Sequence, residues 1–243
     1  MRTLAVVCAR KGSKRLPGKN TLEIGDIPLY VYPYLAAIDS VATAVVVSTD
    51  DPKIFKRGLF PTPAAPLKGG IIRRPAELAT DTASIHWALI HAAASGEVTQ
   101  GCNFDAVICL LANVPTTTTE TINACIAQLE ANSKATAVIA VKEACCPIEW
   151  QYMHRKGGRY IRRTLFGGGS VRNYRMQDLD KRYIATGSCC IVRRETLMLC
   201  QEDDAHAWLG DKIEPYVERG PTIEVDDEIG FQMAKAWLER SDA

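Results

Sequence analysis

Five cations, Arg10, Lys11, Lys14, Arg15 and Lys19, stand within ten positions in the stretch RKGSKRLPGKN, which follows an apolar run, TLAVVCA. Such a loop suits a polyanion. Gly12 and Gly18 let backbone amides approach closely, Pro17 stiffens the turn, and the ammonium and guanidinium groups neutralise charge. The phosphate-binding loop of Gly, four residues, Gly, Lys and Ser or Thr is excluded. Five residues separate Gly12 from Gly18, and Asn20 stands where that loop needs a hydroxyl for its metal. A solvated basic loop is the plain alternative. Position counts against it, because the loop leaves the carboxyl end of the first strand, where open α/β sheets bind ligands.

A second constellation lies near the far end of the chain, in IEVDDEIGF. Glu224 and Asp226 alternate on an extended segment, so both carboxylates can point to one side and share a hard cation with a phosphate. Asp227 points away and is expected to cap a helix beginning near Glu228, and capping by both acids is the competing reading. His86, His91, His154 and His206 match no catalytic pattern, and the first two fall in a helical period.

The elements that must position these groups are legible as short apolar runs: TLAVVCA, ATAVVVST, FDAVICLL, TAVIAV and SCCIV. Rich in β-branched residues, they read as strands buried on both faces, hence a largely parallel sheet. Helices are expected at 28–39, 52–57, 82–94, 117–131 and 227–239, with Asp51-Pro52 and the Thr run of TTTTETINACIAQLE as start signals. Strand alternating with helix predicts a doubly wound α/β fold in one domain spanning 1–243. Residues 150–183 break the pattern, with nine Lys/Arg against two Asp, five glycines and no sustained period. This is the signature of an inserted arm, bounded at about 143–183, that serves as a subunit contact, a lid or an RNA-binding strip, with a mobile basic loop as the bland alternative.

With 29 basic and 28 acidic residues the net charge is +1, which argues against a surface built for nucleic acid or anionic membrane. No apolar stretch is long enough to span a bilayer, and a first strand beginning at residue 3 leaves no room for a signal sequence, so a soluble cytoplasmic protein is expected. The nine cysteines include no CxxC pair and are odd in number, which favours buried reduced thiols.

Several stretches together resemble the CMP-sugar synthetase family, closest to the acylneuraminate cytidylyltransferases that activate sialic acid. The opening loop ARKGSKRLPGKN is similar to that family's signature, followed in order by VVVSTDD (45–51), RPAELATDTAS (74–84), RMQDLDKRYIATGSCCIV (175–192) and IEVDDEIGF (223–231). The resemblance implies a Rossmann-like, GT-A-like nucleotidyltransferase fold with a dimerisation arm. It also implies attack of a 2-keto sugar acid's anomeric hydroxyl on the α-phosphorus of CTP, with Mg²⁺ present. Such chemistry asks the protein mainly for alignment and charge neutralisation.

Carried over residue by residue, the resemblance implies that Arg10 and Lys19 hold the triphosphate, supported by Ser13, Lys14 and Arg15. Asn20 then faces the ribose or α-phosphate, and Arg74 reads the cytosine edge beside Ala83 and Ser84. A pair between Arg74 and Glu77, and helix capping by Ser84, are the ordinary alternatives. Glu224 and Asp226 become the metal ligands, with Glu224 in place of the family's usual aspartate. The sugar falls to Asn113, Arg172, Arg175, Gln177 and Tyr183, guanidinium groups being suited to a carboxylate. Here LLANVP replaces the family's Gln-Pro-Thr-Ser-Pro segment, a spacing closer to the Kdo-activating branch, in which an aspartate lies near Asn113. The implied partners are CTP, a 2-keto sugar acid and a second copy of the chain in a homodimer, with no membrane and no nucleic acid. A nucleotide- or RNA-binding protein without catalysis is the rival of another class.

Overall fold

A computed structural model describes residues 1–59, 68–146, 151–154, 159, 161–163, 175, 179–201 and 206–241. The strands are β1 (Thr3–Cys8), β2 (Glu23–Ile24), β3 (Ile27–Pro28), β4 (Ala44–Thr49), β5 (Gly69–Arg73), β6 (Ala106–Leu111), β7 (Ala137–Glu143), β8 (Tyr152–His154), β9 (Ile161–Arg163), β10 (Tyr183–Arg193) and β11 (Ile213–Val217). The α-helices are α1 (Val31–Ile38), α2 (Pro52–Arg57), α3 (Ile85–Gln100), α4 (Thr119–Ala131), α5 (Arg194–Leu199) and α6 (Glu228–Ser241).

Seven strands form one sheet in the order β11-β7-β10-β6-β1-β4-β5. β1 lies parallel to both β4 and β6, with Val6 opposite Val46 and Cys109, and β4 continues parallel to β5. β10 enters antiparallel to β6, setting Cys190 opposite Cys109. Alternate residues of one strand feed two cores. Ala5, Val7, Val45 and Val47 pack with Tyr34 of α1 and Ile122 of α4, whereas Leu4, Val6, Ala44 and Val46 pack with Leu89 and Ala93 of α3. Helices therefore cover both faces, as strands apolar on every residue require.

Two helix starts read from sequence are present. Asp51 Oδ1 accepts from Lys53 N at 2.9 Å ahead of α2, and Thr118 Oγ1 accepts from Thr121 N at 3.2 Å ahead of α4. α1 begins later than expected because Ile27 and Pro28 are spent on a β2–β3 hairpin. α3 runs on to Gln100 because Gly96 packs against Leu4 and Phe104 rather than ending the helix.

All nine cysteines fall among the described residues, and none is in a disulfide. Those in strands and in α4 are buried or half-buried, but Cys145 and Cys146 are exposed, which corrects the expectation of uniformly buried thiols. Neither lies in an apolar run, so no packing draws them inward. Among the described residues, no helix is long and apolar enough to cross a membrane.

The chain divides into two compact units, Met1–Ala140 with Thr186–Ala243, and Val141–Ala185. The second contains the β8–β9 hairpin and an exposed ion pair between Lys181 and Glu143 at 3.0 Å.

Candidate active site

The loop after β1 is shaped by its neighbour β4. Ala9 N donates to Ser48 O (3.0 Å), Thr49 Oγ1 donates to Ala9 O (2.5 Å), and Lys11 N donates to Asp50 Oδ1 (2.8 Å). The VVVSTDD stretch is thus the scaffold of the basic loop, and its last residue caps α2. From the far end, Asn20 Nδ2 donates to Arg10 O at 2.9 Å, after a turn that Gly18 enters with φ of 69°. These bonds set the cations around a cleft of about 370 Å³, at the carboxyl ends of β1 and β6.

One wall carries Arg74, only 6% exposed. Its Nε donates to Ser48 Oγ (3.1 Å) and its Nη2 to Ser48 O (3.0 Å), so Ser48, and not Glu77, fixes the guanidinium. Cys8 forms part of the floor. A hydrogen bond from Cys109 lowers the Cys8 pKa to about 7 against the opposing effect of burial, with the Arg74 charge adding to the shift.

The acidic segment is pinned by Asn113, which follows β6. Its carbonyl accepts from Val225 N (2.7 Å), and its Nδ2 donates to Asp226 Oδ1 (3.1 Å), Glu224 Oε1 (3.2 Å) and Val225 O (3.3 Å). Val225 is buried with Ile24, Leu29 and Ala234, so the two acids are turned the other way, toward one amide nitrogen. α6 packs tightly on this segment. A Cβ at Gly230 would stand 2.7 Å from Glu224 O, while Gly230 N donates to Asp227 Oδ1 at 2.8 Å. Asp227 therefore caps α6, as its place in the sequence implies.

Asp226 accepts from Lys19 Nζ at 2.6 Å and pairs with Arg15. Burial works to raise its pKa, but the hydrogen bond and charge of Lys19, with those of Arg15, outweigh burial and hold it below the ordinary aspartate value. At the opposite rim Asp81 bridges Arg10 Nη1 (2.8 Å) and Lys14 Nζ (2.6 Å), and Arg10 also donates to Thr80 O (3.1 Å).

The donor set fits a magnesium ion. Mg²⁺ is commonly held by one or two carboxylates, completed by substrate phosphates and water. Glu224 and Asp226 supply two carboxylates converging on Asn113, and among the described residues no cluster of three or more His, Cys, Asp or Glu offers a competing all-protein cage.

Arg10, Ser13, Lys14, Arg15, Lys19, Asn20, Arg74, Ala83, Asn113 and Asp226 all line this cleft. Lys11 does not, its backbone being turned to Asp50. Ser84 sits just outside, at the cap position of α3 without a side-chain cap bond, and its Oγ lies 3.3 Å from His86 Nδ1. Arg172 and Gln177 lie outside the described residues. Arg175 and Tyr183 are exposed and belong to the Val141–Ala185 unit. The sequence reading did not single out Asp81, Ser48, Asp50 or Gly230. Asp81 lies inside a quoted motif, but its partners are 67 and 71 residues away, a pairing only the fold reveals.

The cytidylyltransferase family model matches residues 4–155. A CMP-N,N'-diacetyllegionaminic acid synthase of Legionella pneumophila is 30% identical over 167 residues, 68% of each chain. The post-translational flagellin modification protein B of Campylobacter coli is 26% identical over 96% of this chain and 93% of its own. A pseudaminic acid cytidylyltransferase of Campylobacter jejuni is 34% identical over 47% of each. Among solved structures, a CMP:2-keto-3-deoxy-manno-octonic acid synthetase complexed with CTP superposes with a TM-score of 0.67 at 18% identity, covering 99% of this chain and all of its own. The match to the family model covers more than half of the residues, so this chain belongs to the cytidylyltransferase family.

Proposed function

We propose that the protein joins CTP to a nonulosonic acid, a nine-carbon 2-keto sugar acid, giving the CMP-sugar and pyrophosphate. The observation that carries this is the convergence of Arg10, Lys14, Arg15 and Lys19 with Asp226 in one cleft whose other wall holds the buried Arg74. The bond from the sugar's anomeric oxygen to the α-phosphorus forms as the bond to the bridging oxygen breaks. Its electron pair leaves with pyrophosphate, and the hydroxyl proton is released. The loop cations neutralise the triphosphate and the leaving group, which is the main demand of such a transfer. The preset guanidinium of Arg74, anchored by Ser48, presents donors to the carbonyl edge of cytosine without reorganisation. Asp226 and Glu224 would hold a magnesium ion, which would supply charge stabilisation to the phosphates.

The choice of a nonulosonic acid rests on the relatives named for legionaminic and pseudaminic acids. Kdo is the second reading, supported by the LLANVP spacing and by a 3-deoxy-manno-octulosonate cytidylyltransferase of Methylococcus capsulatus that is 47% identical over 49 residues, 20% of this chain. The arm's arginines and Tyr183 serve the sugar carboxylate or the subunit contact of a homodimer.

Pyrophosphate release from CTP and Mg²⁺ tests the reading with legionaminic, pseudaminic and N-acetylneuraminic acids and Kdo in parallel. Release with one of the nine-carbon acids, lost in Asp226→Ala, is the expected result. Release with Kdo alone moves the substrate to the eight-carbon class, and no CTP binding at all overturns the reading. Dimerisation is tested by the mass in solution at micromolar concentration, where a value of one chain sinks it.

A further inference from the structure

The two carboxylates that face the basic loop have different prospects once a nucleotide arrives. Were Asp226 to hold a cation, its carboxylate would be engaged there and Lys19 and Arg15, now paired with it, would be left for phosphate oxygens. Nothing comparable frees Arg10 and Lys14 from Asp81. That carboxylate spreads its two oxygens across a guanidinium and an ammonium, Oδ1 at 2.8 Å from Arg10 and Oδ2 at 2.6 Å from Lys14, as two oxygens of one phosphate group would. The side chains are 37%, 82% and 42% exposed for Arg10, Lys14 and Asp81, so the pairs can open without unpacking a core.

Resting on the reading of the cleft as a CTP site, we infer that Asp81 is an internal competitor for the polyphosphate. Arg10 and Lys14 exchange its carboxylate for the β- and γ-phosphates when the nucleotide enters, and return to it when pyrophosphate leaves. Asp81 thereby lowers affinity for ligands that carry a pyrophosphate group. It leaves unchanged the affinity for a monophosphate, which does not reach these two cations. The chemistry is an exchange of anions on fixed cations, with no bond made or broken.

Calorimetric titration of CTP, pyrophosphate and CMP into wild type, Asp81→Asn and Asp81→Glu separates the possibilities. Exposed ion pairs are each worth little, so Asp81→Asn is expected to bind CTP and pyrophosphate about fivefold more tightly. CMP should bind as before and Asp81→Glu should resemble wild type, while inhibition of turnover by pyrophosphate strengthens by the same factor. Equal or weaker pyrophosphate binding in Asp81→Asn overturns the inference, making Asp81 an aligning residue for Arg10. An equal change for all three ligands overturns it as well, since that marks a general effect on the cleft. If wild type binds no CTP, the function reading fails first and the inference with it. Asp81→Ser, compared by thermal unfolding, replaces Asp81→Asn should the latter fail to fold.

Discussion

The two acidic ends of the cleft are built in opposite ways. At one, Asp226 is held by a backbone and side-chain clamp from Asn113, a buried Val225 and the close approach of Gly230, as well as by Lys19 and Arg15. At the other, Asp81 is held by Arg10 and Lys14, on an exposed rim. A carboxylate whose position is fixed by packing keeps its place when its ionic partners are drawn off, as a metal ligand must. One fixed by charge alone is released with them.

The contrast breaks most visibly at Asp226. Asp226→Ala removes the carboxylate proposed to hold the metal, which also orders Lys19, so kcat/KM for pyrophosphate release should fall by roughly 10²–10³-fold. Steady-state kinetics at saturating Mg²⁺ checks this. A loss confined to KM for CTP would mean that the residue serves ground-state binding only. Asn113→Ala tests the clamp itself. Groups that orient metal ligands typically contribute about 10–100-fold to metal affinity or activity, so the Mg²⁺ concentration for half-maximal rate should rise within that range. An unchanged Mg²⁺ response would show that Val225 alone keeps the acids in place.

Gly230→Ala probes the same wall from behind. Its Cβ would press within 2.7 Å of the Glu224 carbonyl, and the backbone must give, because no flexible side chain lies between. Overpacking of this kind costs about 1–3 kcal/mol, measurable as a drop in the midpoint of urea unfolding. The Mg²⁺ dependence should move with it, since Glu224 shifts. An equal substitution cost with no change in Mg²⁺ response would separate Glu224 from the metal.

What the sequence disclosed about these regions follows from the range over which each interaction acts. The parallel strands announce themselves because every residue of TLAVVCA or ATAVVVST is apolar, and the caps of α2 and α4 are contacts between residues two or three apart. β5, whose GGIIR begins on two glycines, and β11, whose residues alternate toward solvent, carry no such run and were not expected. At the site, the individual residue types pointed to polyphosphate and metal. The pairing of Arg10 with Asp81 and of Asn113 with Glu224 and Asp226 spans 71 to 113 residues, so only the strand order reveals it. In sequence the STDD stretch carries only a family resemblance. Its physical role, tying the β1 loop and Arg74 to the end of β4, depends on register and is invisible in one dimension.

Acid titration of stability gives the smallest and most discriminating comparison. The folded-state pKa of Asp226 lies below its unfolded value, because Lys19 and Arg15 together outweigh the opposing effect of burial, and that of Asp81 is also lowered, chiefly by Lys14 and then Arg10. A carboxylate depressed on folding contributes stability that is fully present above its unfolded pKa, about 3.9, and is lost as pH falls through the lower folded value. Both pairs therefore stabilise the protein at neutral pH and fail below about pH 4. They differ in screening, since Asp226 is 27% exposed and Lys19 17%, whereas Asp81 is 42% exposed and Lys14 82%. Urea unfolding from neutral pH to below pH 4 should show a shallower acid slope for Asp226→Asn than for wild type. For Asp81→Asn the slope should be closer to wild type, and 0.5 M salt should erase what remains of its difference. Equal slopes for the two variants would mean that the deeper burial of the Asp226–Lys19 pair does not shield it from solvent and salt, and that the two ends of the cleft are alike.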